Sequence, residues 1–513
     1  MDRLDAAYGA PANPMPGRNT AIQALVLAVY AAWVIWVGLH HEAWFDEMQA
    51  WLLARDNSFA TLIGYYARYE GTPGLWHAIL WVAARASLPF SAIWMLSAGL
   101  AIIAAAIVLW RAPFPLPLRI GLLASYYFGY QYSVVARGYC LDLLLLPIAA
   151  ILFADRVRRP LGYALVVGLI ANINAYSFLA AGLLGLELFV RLVIARRLGD
   201  WRVLAALAVA GGLGLFAMWT AWQPADNGFM NQVTRMSPLG SALVFVANGL
   251  FDRITPWSGS HQTGVEVLLG MLLSAAFLGV LVRLVLAGRD RAVMLAMPLA
   301  MIVFSGAVLA SSWHGGVLFM LVIFVLWTQW HNPVGPRTRT VLIGALALLE
   351  IAQAMQTLRT GIYDTGHDYS AGRPAAAAVM AWRAQHPGAR IAAFGGQSFE
   401  TQPWLPYNVY ANYHNAAPNP QFVRWNKDET WHALPHPPEW RALLATHPDA
   451  VLAAVIWLPG PVKRDPAGQG CRAGYVIAKT FPAAMLWRGI PIDNTLILYE
   501  RAKTGPCAVS RAA

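Results

Sequence analysis

Charge is what this 513-residue chain has least of: 12% of its residues are Asp, Glu, Lys or Arg, against about 25% in soluble globular proteins. Hydrophobic residues make up 58%, and mean hydropathy is +0.48. The shortage excludes a soluble globular chain and leaves a multi-pass helical membrane protein. Cysteine is scarce too, with Cys140 in the apolar part and only Cys471 and Cys507 near the C-terminus. No CxxC spacing occurs, which argues against a dedicated zinc site. Cys471 and Cys507 form either a disulfide, if their region is extracytoplasmic, or two separate thiols. No internal repeat is visible, and no GxGxxG or Walker-type loop that would cradle a nucleotide's phosphates is present. The net charge of +11 would suit nucleic acid, but in a membrane chain Lys and Arg first report which loops stay in the cytoplasm. No nucleic-acid partner is expected.

What the chain has in abundance is long apolar runs, at roughly 20–39, 73–90, 91–110, 119–136, 139–154, 161–178, 180–194, 203–222, 265–287, 292–311, 315–330 and 340–358. The first follows Arg3 and Arg18 and has no small-residue cleavage site after it, so residues 1–19 read as a cytoplasmic tail before an uncleaved anchor. The basic loops 155–160, 196–202, 288–291 and 335–339 belong in the cytoplasm by the positive-inside rule. Twelve crossings would then leave the C-terminal region in the cytoplasm as well. Counting 73–110, which "SLPFS" (87–91) divides, as a single crossing gives about eleven spans and puts loops 40–72 and 223–264 and everything after 359 outside. After 359 the polar residues return. A helix pattern at 373–387, a strand at 390–396, a helix and strand over 438–457 and strands at 474–479 and 494–500 predict a small α/β domain over 359–513 behind a membrane domain at 20–358.

Three short stretches gather chemistry on the outer side. "HHEAWFDEMQAW" (40–51) places Asp46 and Glu47 on a stretch whose Phe45, Met48, Trp51 and Leu52 follow helical spacing, which predicts an amphipathic helix lying along the membrane surface. "YYARYEGTPGLWH" (65–77) sets Glu70 just before Pro73 opens a helix. "VARGYCLD" (135–142) carries Arg137, Tyr139 and Asp142 beside the membrane, where ionisable groups are costly and default to function. Arginine suits phosphate because its planar fork donates two parallel bonds and keeps its charge. The plainer alternatives are solvated acids, a snorkelling Arg137 and a helix-capping Asp142. Further candidates for phosphate or sugar are His314 in "SSWHGG", where a helix start exposes amides, and Arg253 and His261 in the loop 223–264.

These stretches resemble the GT-C superfamily of glycosyltransferases that use polyprenyl-phosphate-linked sugars, which includes protein mannosyltransferases and the aminoarabinose transferase of lipid A. The acidic pair after the first membrane helix, an acid-Gly-x-Pro opening of the second and an Arg-Gly-Tyr-x-x-Asp segment carry the likeness, which covers the layout of roughly residues 20–360. The resemblance implies a transferase at the outer face of a bacterial inner membrane, with the C-terminal domain in the periplasm. It implies Asp46, with Glu47 its rival, as the general base for an acceptor hydroxyl; Glu70 as a ligand of acceptor or sugar; and Arg137 near the lipid phosphate. It leaves room for a divalent metal, Mg or Mn, at Asp46 and Asp142, and requires none. "EGTPGLW" departs from the protein mannosyltransferases and leaves open whether the acceptor is a glycan, a lipid or a protein. The rival reading is a transporter or flippase of lipid-linked sugars. That alternative expects repeats and acids at bilayer depth, rather than acids gathered in outer loops.

Overall fold

The computed structural model describes residues 20–228, 237–251, 264–308, 314–413, 420–427, 439–487 and 490–502. Its main helices, in chain order, are α1 (Thr20–His40), α2 (Phe45–Asp56), α3 (Leu75–Arg85), α4 (Trp94–Arg111), α5 (Leu116–Ala124), α6 (Cys140–Phe153), α7 (Pro160–Ala171), α8 (Ala175–Ile194), α9 (Trp201–Ala221), α10 (Pro238–Gly249), α11 (Gly264–Leu286), α12 (Arg291–Ala307), α13 (Gly315–Gln329), α14 (Pro336–Gly366), α15 (Gly372–Gln385) and α16 (Glu439–Ala445). The strands are β1 (Ile391–Phe394), β2 (Ala450–Ala454), β3 (Tyr475–Phe481), β4 (Ala484–Trp487), β5 (Ile490–Asp493) and β6 (Leu496–Arg501). Six helical segments are long and apolar enough to cross a membrane: Thr20–His40, Phe90–Arg111, Ala175–Ile194, Trp201–Ala221, Gly264–Leu286 and Pro336–Gly366. Five further apolar helices, α6, α7, α10, α12 and α13, are shorter.

The chain divides into two compact units. The first takes residues 1–39, 95–219 and 235–359 and holds most of the apolar helices. At its centre α13, apolar around its whole circumference, is buried along nearly its entire length, as a helix without a polar face must be. Glycines let α10 and α13 touch: a Cβ on Gly249 would lie 2.7 Å from the Gly315 carbonyl oxygen, and one on Gly315 would lie 2.8 Å from the Gly249 nitrogen. Close backbone approach through small residues is how apolar helices associate where no hydrophobic effect separates them. At another edge, Arg156 donates to Glu187 at 2.9 and 2.7 Å and to Asp290 at 2.8 Å, while Arg191 donates to the same two acids, so α6, α8 and the start of α12 are tied together.

The second unit is assembled from three separated pieces of chain, 40–94, 220–234 and 360–513. Its sheet has the order β1-β2-β6-β3, with β1 and β2 parallel and the other pairs antiparallel, and β4 and β5 form a separate hairpin. All five residues of β2 are buried, and Phe394, Trp440, Val451, Ala453, Ile497 and Tyr499 form the core beside it. The strands expected at 390–396, 474–479 and 494–500 and within 438–457 are all present.

Four local expectations need correction. Helix α2 does not lie along a surface with one apolar side: Glu47 to Ala54 are buried without a break, because Glu47 and Gln49 find partners that let the polar face be covered. The run 73–110 is not one interrupted crossing. Ser87 at a positive φ of 63° and Pro89 end α3 after 11 residues, too short to span, and the crossing-length segment starts afresh at Phe90. The helix expected over 119–136 stops at Ser125, which is extended, and continues as a π-helical turn at Tyr127–Gln131 and then as irregular chain. Buried tyrosines crowd that stretch, and Tyr132 stacks on Tyr139 at 5.1 Å. The outer loop expected at 223–264 contains the apolar helix α10.

Candidate functional site

The second unit holds Asp46, Glu47 and Glu70, and the residues around them decide what each can do. His41, buried, is gripped between two carboxylates: Nδ1 lies 2.8 Å from Asp364 Oδ2 and Nε2 lies 3.1 Å from Glu47 Oε2. Burial disfavours its charge, but Asp364 and Glu47 outweigh that and push its pKa up to about 10, so it is an imidazolium donating through both nitrogens. Glu47 Oε2 also accepts the Trp44 N–H at 3.1 Å, satisfying one of the orphan donors at the start of α2. The Phe45 N–H goes to Glu400 Oε1 at 3.3 Å. Asp46, the next residue, is half-buried.

One turn along α2, Gln49 makes a paired contact with the backbone of Val423: Nε2 donates to the carbonyl at 2.8 Å and Oε1 accepts the N–H at 2.8 Å. Gln49 Nε2 also reaches Glu70 Oε1 at 3.0 Å, and the same oxygen accepts from Trp425 Nε1 at 2.8 Å. Glu70 is thereby fixed to α2 on one side and to the 420–427 segment on the other. Tyr69, beside it, donates to exposed Asp226 at 3.0 Å, and Asn227 Nδ2 donates back to the Tyr69 carbonyl at 2.8 Å.

Sequence reasoning missed two acids here. Glu42 is half-buried, and its Oε2 has no hydrogen-bond partner among the described residues. Burial first, then the nearby Asp368 carboxylate, raises its pKa to about 7, against opposing pulls from the Ser370 N–H, His41 and Arg373. Glu400 is buried and accepts from Ser370 Oγ, from Asn494 Nδ2 at 3.1 Å and from Phe45 N–H, yet burial still carries its pKa to about 8. Glu42 stands in the quoted "HHE" stretch, whereas nothing in "SFETQ" marks Glu400.

The first unit holds Arg137, Tyr139, Asp142 and His314. Arg137 is half-buried, with its guanidinium carbon 5.4 Å from the centre of the Tyr139 ring. His314 precedes α13 and lies between the rings of Tyr139 (6.0 Å) and Tyr176 (4.8 Å); its Nδ1 is buried with no hydrogen-bond partner among the described residues. Arg137, Tyr139 and His314 are therefore one assembly around the start of α13. Asp142 turns elsewhere: one carboxylate oxygen accepts from Ser177 Oγ at 2.7 Å and the other from Asn174 Nδ2 at 3.0 Å, pinning α6 to the start of α8. Among the described residues no three His, Cys, Asp or Glu side chains gather as a metal site. Arg253 and His261 lie outside the described residues, as does Cys507; Cys471 is disulfide-bonded.

The architecture is that of a polytopic helical membrane protein carrying a small α/β sheet. It is ArnT-like: the chain matches the crystal structure of ArnT from Cupriavidus metallidurans in the apo state with a TM-score of 0.50 at 14% identity, over 94% of this chain and 98% of that one. The crystal structure of the same protein bound to undecaprenyl phosphate matches with a TM-score of 0.49 at 14% identity, over 95% and 99%. No family model matches the chain, and no curated protein matches it by sequence.

Proposed function

We propose that this protein is a membrane glycosyltransferase that moves a sugar from a polyprenyl-phosphate donor to an acceptor hydroxyl at the outer face of a bacterial inner membrane. The observation that carries the reading is the Arg137, Tyr139 and His314 assembly: a guanidinium held over an aromatic ring, next to a half-buried imidazole whose Nδ1 has no partner among the described residues, at a helix start. That is a combination suited to a phosphate monoester. The ArnT-like fold adds support at the level of architecture alone.

In the reaction the acceptor oxygen attacks the anomeric carbon, the bond from that carbon to the phosphate oxygen breaks, and the configuration inverts. Asp46 takes the acceptor proton. Arg137 stabilises the charge that collects on the departing phosphate oxygen. Glu70, held by Gln49 and Trp425, lines the acceptor or sugar, and Glu47 serves by fixing the start of α2 through His41 and Trp44. Asp142, with both oxygens occupied, acts in the framework.

The test is incubation of the purified protein with a panel of radiolabelled polyprenyl-phosphate sugars and crude membrane acceptors, following release of polyprenyl phosphate. Asp46→Asn is expected to lower turnover by about 10²- to 10⁴-fold, the usual range for losing a general base, with donor binding retained. Arg137→Ala is expected to weaken donor binding as well. Binding of donor without any release, in the wild type, would sink the transferase reading in favour of transport.

A further inference from the structure

Asp46 has its neighbours fixed from two sides, and one of the fixing groups comes from far along the chain. Phe45 and Trp44 donate the two N–H groups that flank the start of α2; Glu47 takes one and Glu400 takes the other. Glu400 lies 355 residues beyond Phe45 and is completely buried in side-chain hydrogen bonds from Ser370 and Asn494. Ser370 is itself anchored: its Oγ accepts the Gly372 N–H at 3.1 Å while donating to Glu400. Glycine at 372 is required for this arrangement, because a Cβ there would lie 2.4 Å from the Glu400 carbonyl oxygen. We propose that Glu400 is a positioning residue for Asp46, holding the start of α2 through the Phe45 N–H and tying it to Ser370 and Asn494. The inference rests on the transferase reading above and deepens it, since it brings the C-terminal part of the chain into the catalytic apparatus.

The charges around the pair give the device a pH dependence. Glu42 faces His41, Asp368, Arg373 and Glu400, and His41 is itself paired with Glu47 and Asp364; Glu400 faces Glu42 together with the neutral donors Ser370, Asn494 and Phe45 N–H. Two buried carboxyls that repel each other titrate as a pair rather than singly. Their values, about 7 and about 8, mean that the pair retains a proton at neutral pH and becomes doubly charged in mildly alkaline solution. Ionised Glu400 offers only acceptors to the Phe45, Ser370 and Asn494 donors, so the hold on α2 is weaker at pH 6 and firmer at pH 9.

Two readouts on the full-length purified protein test this: amide exchange across residues 41–49 at pH 6 and pH 9, and kcat and KM for sugar release from polyprenyl-phosphate donors over the same range. Glu400→Gln keeps size but turns one acceptor oxygen into a donor facing donors. It is expected to speed exchange of the Phe45 amide at least tenfold at pH 9 and to lower kcat there about tenfold with the donor KM unchanged. It should also remove the rise in rate between pH 7 and 9, and Glu400→Asp should restore part of each. Ser370→Ala is expected to move the same limb without abolishing activity. The proposal is overturned if Glu400→Gln exchanges like the wild type, or if kcat, KM and melting temperature decline together in Gln and Asp variants alike. A wild type that releases no sugar while the exchange effects hold would overturn the reaction and uphold the grip of Glu400 on Phe45.

Discussion

Asp364, His41 and Glu47 form a charged sandwich whose three members come from two distant parts of the chain, and its energetics have a definite sign. His41 is raised from its ordinary value to about 10, and Glu42 and Glu400 are raised to about 7 and about 8. A group raised in the folded state contributes stability that is complete below its unfolded value and lost as pH climbs through the folded one. All three shifts therefore act in one direction. Stability of the second unit is expected to decline steadily from about pH 4.5, where the two glutamates begin to ionise in the unfolded chain, to about pH 10, where His41 loses its proton. Thermal melting followed by tryptophan fluorescence from pH 5 to pH 10 checks this, and a midpoint that rises across the range would contradict it. Asp142 supplies a contrasting case. Removing it by Asp142→Ala strands the Asn174 and Ser177 donors in a buried setting and should cost about 1–3 kcal/mol, whereas Asp142→Asn, still able to accept one bond, should cost less; melting of the two variants separates them.

Among the elements, those set by local pattern were legible in the sequence, and those set by distant partners were not. The long apolar helices and the helix and strands of the C-terminal sheet follow from run length and period, which need no knowledge of the rest of the chain. Helix α2 has the right spacing for one apolar side, yet its polar residues are covered by His41, Val423 and Trp425-linked Glu70, and the last two contacts reach segments beyond residue 420. Pattern reading singled out Asp46, Glu70 and Arg137 because they stand in short recognisable strings; it passed over Glu400 and Asp364, whose strings are ordinary. The crossing of α10 and α13 offers a test at this scale. Gly315→Leu is expected to force the backbones apart, since even a methyl carbon would meet Gly249 at 2.8 Å, and to lower the melting temperature of the detergent-solubilised protein far more than Gly279→Leu. A side chain at Gly279, on α11, would enter open space, with no atom within 4 Å of its Cβ. Equal effects would show that the close approach carries no stability.

For the whole molecule, the feature with the widest reach is the discontinuity of the second unit. Hydrogen bonds from His41 to Asp364, from Asn227 to Tyr69 and from Gln49 to Val423 join all three of its pieces, so those pieces share one side of the membrane. Reporter fusions at residues 57 and 386 are expected to give the same sidedness, and a fusion at 158 the opposite one. Truncation after residue 359 removes Asp364, Glu400 and Val423 at once; the 40–56 segment is then expected to become sensitive to protease in the detergent-solubilised protein, whereas the full-length chain resists.

The same discontinuity sets a timetable for the cell. Residues 40–94 leave the ribosome early and wait for partners encoded after residue 360; at roughly 5–20 residues per second that interval is on the order of 15 to 50 seconds. Throughout it Trp44, Met48 and Trp51, all destined for burial, have no finished surface to fold against. These side chains thus reach their final burial only after the last third of the polypeptide has been made.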